Sequence, residues 1–272
     1  MQKTNYILSF IILSWFFLLS SAFSKDPADF QIASSPNPVG SGARAIGMGG
    51  AFIGVADDAT AAFWNPGGLV QLKKPEISGV GNWFHRIEDN TFWEYPESNG
   101  SQSVTSEDIN YLSIVYPFNI YDRSMVISLN YQHLYDFTRE WNYSVTHINQ
   151  GDANMLNTIR NIDYQQDGML SAVGLAYCVQ ITRNISFGFT LNIWDDNISS
   201  NTWDQNIHLT EIHKINSDIM LSSEYITRQK YSFSGFNSNI GMLWNVNDKL
   251  SIGLVCKTPF KADLSHEIIR ES

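Results

Sequence analysis

The chain has 272 residues, with 17 Lys+Arg against 27 Asp+Glu and a net charge of −10. That sign disfavours a nucleic-acid binder, which must neutralise phosphates, and two cysteines are too few for a disulfide scaffold or a Cys-built zinc site. Charged residues make up 16% of the chain against about 25% in an ordinary soluble domain, and 13% is aromatic, which points to a protein whose solvent is only partly water.

The one long apolar run is Tyr6 to Leu19. No later segment approaches the ~20 apolar residues of a membrane-spanning helix, so a multi-helix membrane protein is excluded. Lys3 precedes the run, and Ala22 and Ser24 stand at the −3 and −1 positions of a cleavage site. Residues 1–24 therefore read as a secretory signal peptide. An uncleaved N-terminal anchor is the alternative, for which the apolar core is short. The exported chain begins at Lys25.

Residues 25–74 are rich in small, turn-forming types, with glycine at 40, 42, 47, 49, 50 and 54. The segment contains no G-x-x-x-x-G-K-[ST] sequence, and Gly47-Met48-Gly49-Gly50-Ala51-Phe52 lacks the third glycine of the dinucleotide fingerprint. Asp57 or Asp58 can cap a short helix over 59–64, which must end near Asn65 because Pro66 disfavours helical geometry in the residue before it. The expectation is a compact segment of short helices and turns.

After Pro75 the period changes to two. In Met125-Val126-Ile127-Ser128-Leu129-Asn130-Tyr131-Gln132 the odd positions are apolar or aromatic, and the same alternation runs through Ile185 to Ile193. It recurs with small residues on the other face in 169–180 and 250–257. About seven strands are predicted, over 76–84, 107–118, 124–137, 167–182, 184–195, 230–245 and 249–261. Short polar turns at 119–123, 182–184 and 245–249 join some of them, while 84–107, 137–166 and 194–230 read as long polar loops. Alternating short turns and long loops, with strands apolar on one face and polar on the other, predict a transmembrane antiparallel β-barrel, whose closure satisfies every backbone hydrogen bond in lipid. The competing reading is a secreted β-sandwich or a periplasmic lipid-binding barrel. Against it stand strands longer than the usual 5 or 6 residues, polar stripes of Ser, Asn, Gln and Gly, and aromatics near strand ends. Those aromatics are Tyr116, Tyr131, Tyr135, Phe137, Tyr177, Trp194, Trp244 and Phe260, placed where membrane girdles sit. By parity Cys178 points to the lumen and Cys256 outward, so both are expected as free thiols.

The six histidines, at 85, 133, 147, 208, 213 and 266, form no H-E-x-x-H or similar ligand spacing, and no G-x-S-x-G elbow is present. Neither an enzyme nor a metal or cofactor is predicted. Residues 25–74 are expected to sit inside the barrel as a loosely packed hatch that shifts at low cost. Phe52, Phe63, Trp64 and Leu69 would line the apolar side of a ligand path, or pack the hatch against the wall. Lys257, on the parity of Gly253 and Val255, is the readable lumen-side cation for an anionic head group; the alternative is a strand-end lysine at the interface.

The segments Gly42-Ala43-Arg44-Ala45-Ile46-Gly47-Met48-Gly49-Gly50-Ala51-Phe52, Ala56-Asp57-Asp58-Ala59-Thr60-Ala61 and Trp64-Asn65-Pro66-Gly67-Gly68-Leu69 resemble the N-terminal segment of the FadL/TodX outer-membrane transport proteins. Leu250 to Leu254, with Lys257-Thr258-Pro259-Phe260, is similar to a later strand and loop of that family. The resemblance implies a fourteen-stranded barrel, plugged by a hatch, in the bacterial outer membrane. Such a barrel passes hydrophobic small molecules such as long-chain fatty acids or aromatic hydrocarbons passively from outside into the membrane. Its partners would be the ligand, the lipid bilayer and lipopolysaccharide, with a monomer as the full-length state. The family's Asn-Pro-Ala hatch motif maps onto Asn65, Pro66 and Gly67, where the third residue departs from the pattern. Relatives that act in secretion make an outer-membrane scaffold or shuttle protein the alternative function. Seven strands are odd in number, and 268–272 lack a closing aromatic, so 75–272 is expected to be an incomplete barrel, part of a longer one or a truncated gene product.

Overall fold

The computed structural model describes Ser35–Pro36, 41–149, 156–215, 218–259 and 262–271, all within the second of two compact units, Ser34–Ser272. The predicted signal peptide, most of 25–40 and Phe260 lie outside the described residues. The chain is mostly β and antiparallel with a few short helices. Its strands are β1 (Ser35–Pro36), β2 (Glu76–Asn90), β3 (Gly100–Ile120), β4 (Arg123–Asp136), β5 (Arg139–Asn149), β6 (Leu156–Gln180), β7 (Ile185–Trp194), β8 (Thr202–Ile215), β9 (Asp218–Asn247), β10 (Leu250–Lys257) and β11 (Ala262–Glu271).

The main path of the sheet is β10-β9-β7-β6-β4-β3-β2, seven columns, as the alternation predicts. The remaining long strands extend these columns. β4 and β5 both pair with β6, and β10 and β11 both pair with β9. β7 and β8 share both neighbours, β6 and β9, so the pairings close a small four-strand circuit. Asp195–Asn201 bulges out where β7 hands over to β8. There the Asn197 amides donate to Asp195 Oδ1 at 2.8 Å and hold its carboxyl below the usual range. Among the described residues no ladder joins β2 to β10 or β11.

The predicted short turns are present. Tyr121 and Asp122, with φ of 47° and 59°, form the two-residue connection between β3 and β4, the left-handed pair that matches strand twist. The long polar loops are not: most of 84–107, 137–166 and 194–230 is strand. The reason is an inversion of phase. In the lower half of the sheet the exposed residues are apolar, as at Leu112, Ile114, Ile127, Leu129, Leu175 and Ile240, while Ser113, Ser128, Asn130, Asn192 and Asn239 are buried. In the upper half the outward positions become Ser101, Ser103, Thr105, Asn206 and His208, and the inward ones include Trp141, Tyr164, Trp203 and Tyr231. Alternation persists through both halves, but its sense reverses, and a search for apolar-out stripes stops at the reversal. Two predicted girdle aromatics are corrected for the same reason. Phe137 and Trp194 are 3% and 5% exposed and point inward, whereas Tyr116, Tyr135 and Trp244 are exposed.

Residues 41–74, the segment expected to be the hatch and called so below, pack on the face of the sheet that carries Val115, Val126, Ala176 and Cys178, here called the inner face. Ala43–Gly47 and Ala61–Trp64 form short helices, and Pro66–Gln71 forms a 3-10 turn. The second helix starts at Ala61 with Thr60 as its N-cap and no side-chain cap bond, so neither Asp57 nor Asp58 caps it; Asp58 Oδ1 instead accepts from Thr60 N at 2.9 Å and closes the turn before the helix. The helix stops at Asn65, which is extended with φ −156° ahead of Pro66, as the proline dictates. Phe52, Ala56, Ala59, Ala61, Ala62 and Leu69 build a core with Val115, Val126, Ala176 and Cys178 of the wall. Cys178 is buried and Cys256 exposed, both as free thiols.

The ladder between β3 and β4 stops at Tyr111–Gln132. Beyond it β6 holds one edge of β4 through Met169 and Leu170, and Ser35–Pro36 pairs with Tyr135 and Asp136 on the other. Above this seam β3 meets β5 through side chains, with Gln102 Nε2 donating to Asn142 O at 2.6 Å.

The hatch is not loosely packed. A Cβ on Gly188 would collide with the Pro66 carbonyl, and one on Gly241 with Asn65 and with Pro66 Cδ at 2.8 Å. These glycines let hatch backbone rest on wall backbone. Gly188→Val is therefore expected to lower the unfolding free energy by about 3 kcal/mol, read from the urea midpoint at unchanged m-value.

Candidate functional site

Folding of the hatch leaves backbone carbonyls facing the wall, and the wall meets them with side-chain donors. Tyr111 OH donates to Ala59 O at 2.8 Å, Thr190 Oγ1 to Ala62 O at 2.6 Å and Ser186 Oγ to Gly67 O at 2.6 Å. Cys178 Sγ also reaches Gly67 O, at 3.4 Å. The small polar residues of the inner stripe thus cap the hatch.

Asn65, fully buried, is the centre of this contact. Its Nδ2 donates to Ile53 O at 2.8 Å and to Met242 O at 3.0 Å, and its Oδ1 accepts from Gly67 N at 3.0 Å. One side chain ties two hatch turns to β9. Pro66 has no N–H to leave orphaned against the sheet. At Gly67 a Cβ would lie 2.9 Å from both Leu243 N and Met242 Cα, so the third residue of the Asn65-Pro66-Gly67 run is in backbone contact with β9.

The predicted path residues divide. Phe52 and Leu69 are fully buried in the hatch core. Trp64 packs against that core and donates Nε1 to Ser41 O at 2.6 Å. Its ring meets Phe52 and Phe63 edge-on, with centroids 6.2 and 5.3 Å apart. Lys257 Nζ lies 4.2 Å from the Phe63 ring centroid, a cation–π contact that places an exposed ammonium at the half-buried end of the cluster. Phe63, Trp64 and Lys257 therefore form one surface.

Inward cations that alternation alone does not single out stand higher on the wall, within 84–107 and just after β4, where loops are expected. Arg86 Nε and Arg139 Nη2 share Glu88 Oε1 at 2.8 and 3.3 Å, Trp141 Nε1 donates to Glu88 Oε2 at 2.7 Å, and Arg139 stands over the Trp141 ring at 5.1 Å. Two guanidiniums on one carboxylate leave one positive charge in surplus. Beside them four rings stack in series across the inner face: Phe137–Trp203 at 4.5 Å, Trp203–Tyr231 at 4.8 Å and Tyr231–His266 at 4.1 Å, with interplanar angles of 14°, 6° and 6°. Strand spacing near 4.8 Å sets this ladder.

On the outer face, Ile77, Leu112, Ile114, Leu129, Tyr131 and Val173 line an apolar groove of about 330 Å³, whose Leu112–Tyr131 pair adjoins the last rung below the seam. Among the described residues no group of three or more His, Cys, Asp or Glu side chains could hold a metal ion.

No family model, curated protein or solved structure matches the chain. The resemblance at 42–69 and 250–260 therefore rests on those residues alone.

Asn65→Ala, which strips three backbone groups of their partner, is expected to lower the unfolding free energy by about 3 kcal/mol, and Ser186→Ala by about 1 kcal/mol. Denaturant titration of each variant measures the difference.

Proposed function

We propose that the chain forms the wall and hatch of an outer-membrane barrel that passes hydrophobic small molecules by passive diffusion. The observation that carries this reading is the polarity of the lower sheet, where large apolar side chains stand exposed on one face and carboxamides and hydroxyls are buried on the other. Ile77 is 81% exposed, Ile114 57% and Leu254 55%, while Asn130 is 2% exposed. A water-soluble sandwich arranges the same alternation the other way round, and so broad an apolar surface marks an interface with another apolar phase.

The dimensions agree with lipid as that phase. Outward apolar positions on β4 run from Met125 to Tyr135, which at ~3.3 Å per residue is about 33 Å of strand. At the tilt near 40° usual for such barrels this spans about 25 Å, the height of their apolar band. Above that height polar residues such as Ser101, Ser103, Thr105, Asn206 and His208 join the outward face, alongside exposed Ile87 and Ile268.

Within this reading the solute enters among the inward aromatics of the upper wall and meets Phe63, Trp64 and Lys257 at the hatch. The β3–β4 seam, bordered outside by the apolar groove, becomes a sideways exit into lipid when Ser35–Pro36 parts from Tyr135 and Asp136. Because wall and hatch share backbone contacts at Gly188 and Gly241, the hatch stays seated while solute moves past it. A scaffold or shuttle role in secretion predicts no dependence on these rings.

Phe63→Ala with Trp64→Ala is expected to slow uptake of a hydrophobic tracer into cells by about tenfold, with the heat-modifiable mobility of the protein and its outer-membrane fractionation unchanged. Unchanged uptake would exclude both rings from the path, and recovery of the protein in the aqueous fraction would exclude the barrel.

A further inference from the structure

A belt of uncharged polar side chains crosses the inner face beside the hatch helix. Ser113, Asn130, Gly174 and Asn192 stand in register on β3, β4, β6 and β7, with Tyr111 and Gln132 on the neighbouring inward rung. Asn130, Gln132 and Asn192 are 2%, 1% and 2% exposed. Gln132 Nε2 donates to Asn192 Oδ1 at 2.8 Å, and the Tyr111 hydroxyl is committed to Ala59 O. The rest of the belt is open: both amide atoms of Asn130, Gln132 Oε1 and Ser128 Oγ have no protein partner, while Ser113 is hydrogen-bonded to the Tyr111 side chain. Asn130 and Asn192 converge on Gly174, where a Cβ would lie 2.6 Å from Asn130 Oδ1 and 3.0 Å from Asn192 Oδ1. Buried polar groups are satisfied as a rule, and a cluster of open donors and acceptors on one small area is the signature of a place that receives a hydrogen-bonding group.

The belt holds no charge. Along its own strands the nearest ionisable acids are Asp136, beyond Gln132 on β4, and Asp108, before Asn110 on β3. Lys257 stands four strand spacings from Asn130, across β6, β7, β9 and β10, roughly 19 Å along the sheet at ~4.8 Å per strand. The buried His133 imidazole beside Gln132 is the nearest ionisable group along β4, and an imidazole is neutral at alkaline pH, so a carboxylate placed here at pH 8 would lose its water without meeting a cation. A hydroxyl or a primary amide, donor and acceptor at once, matches the open groups.

We propose that this belt seats the hydrogen-bonding end of an uncharged amphiphile, a long-chain alcohol or primary amide, in preference to a fatty-acid anion. The proposal rests on the transport reading and names the solute class for it. Asn130 supplies both a donor and an acceptor, Gln132 Oε1 a second acceptor, and Gly174 lets the Asn130 and Asn192 amides close over its backbone and converge.

The test uses the purified full chain held in amphipol and radiolabelled dodecane, 1-dodecanol and dodecanoate at pH 8. Wild type is expected to bind dodecanol at least tenfold more tightly than either of the others. Asn130→Leu, which removes two open polar atoms at similar volume, should weaken dodecanol about tenfold, leave dodecane unchanged, and keep or raise the urea midpoint. Gln132→Met is the second variant should Asn130→Leu fail to fold, with the same binding expectation and a urea midpoint lowered by loss of its bond to Asn192. Dodecanoate binding as tightly as dodecanol, or dodecanol binding unaffected in the folded variants, would overturn the belt assignment. Dodecane binding without any preference for dodecanol overturns the belt alone and leaves the transport reading standing. Failure of all three probes to bind overturns both.

Discussion

A backbone carbonyl buried away from water must find a donor, and a hatch made of short helices and turns leaves several of them open. The structure meets that constraint with the wall. Tyr111, Thr190, Ser186 and Cys178 reach hatch carbonyls, and Asn65 returns the contact through Met242 O. The consequences spread outward. Because the inner stripe must supply small donors and bare backbone, it cannot also carry large apolar side chains, so the apolar residues of the lower strands occupy the opposite face. The polarity of the sheet and the seating of the hatch are one arrangement seen from two sides.

Much of this is legible in the residues. The two-residue rhythm places all seven columns, the proline after Asn65 ends the hatch helix where expected, and parity separates Cys178 from Cys256. The upper strands were hidden because the rhythm changes sense. In Thr202 to Leu209 the inward residues are Trp203, Gln205, Ile207 and Leu209, set against Asp204, Asn206 and His208; this is ordinary amphipathic alternation, but opposite in phase to the lower sheet. Composition made it look like loop. The close seat of the hatch was likewise illegible, since glycine at 188 and 241 is ambiguous between a weak strand and a contact until the opposing backbone is placed. Arg86 and Arg139 escaped notice because their faces depend on strands that polarity conceals.

The inner surface that results is graded. Near the hatch it offers carboxamides and hydroxyls, and Lys257 stands over Phe63. Higher up it offers stacked rings and a guanidinium pair sharing one glutamate. On the proposed transport reading, a solute with a long apolar part and a small polar end would meet complementary chemistry along this face. Among the described residues, the Arg86–Arg139–Glu88 group keeps one positive charge in surplus.

The two native thiols give this protein a built-in gauge of its own mechanics. Cys256 faces outward beside Ile252 and Leu254, while Cys178 is sealed beneath Gly67 at the floor of the hatch. A permeant maleimide that reacts at the outer sulfur and spares the inner one reports that residues 41–74 stay packed over Cys178, and the rate at which the inner sulfur is consumed measures how often that packing opens. The question can thus be asked of the unmodified chain, without introducing a single label.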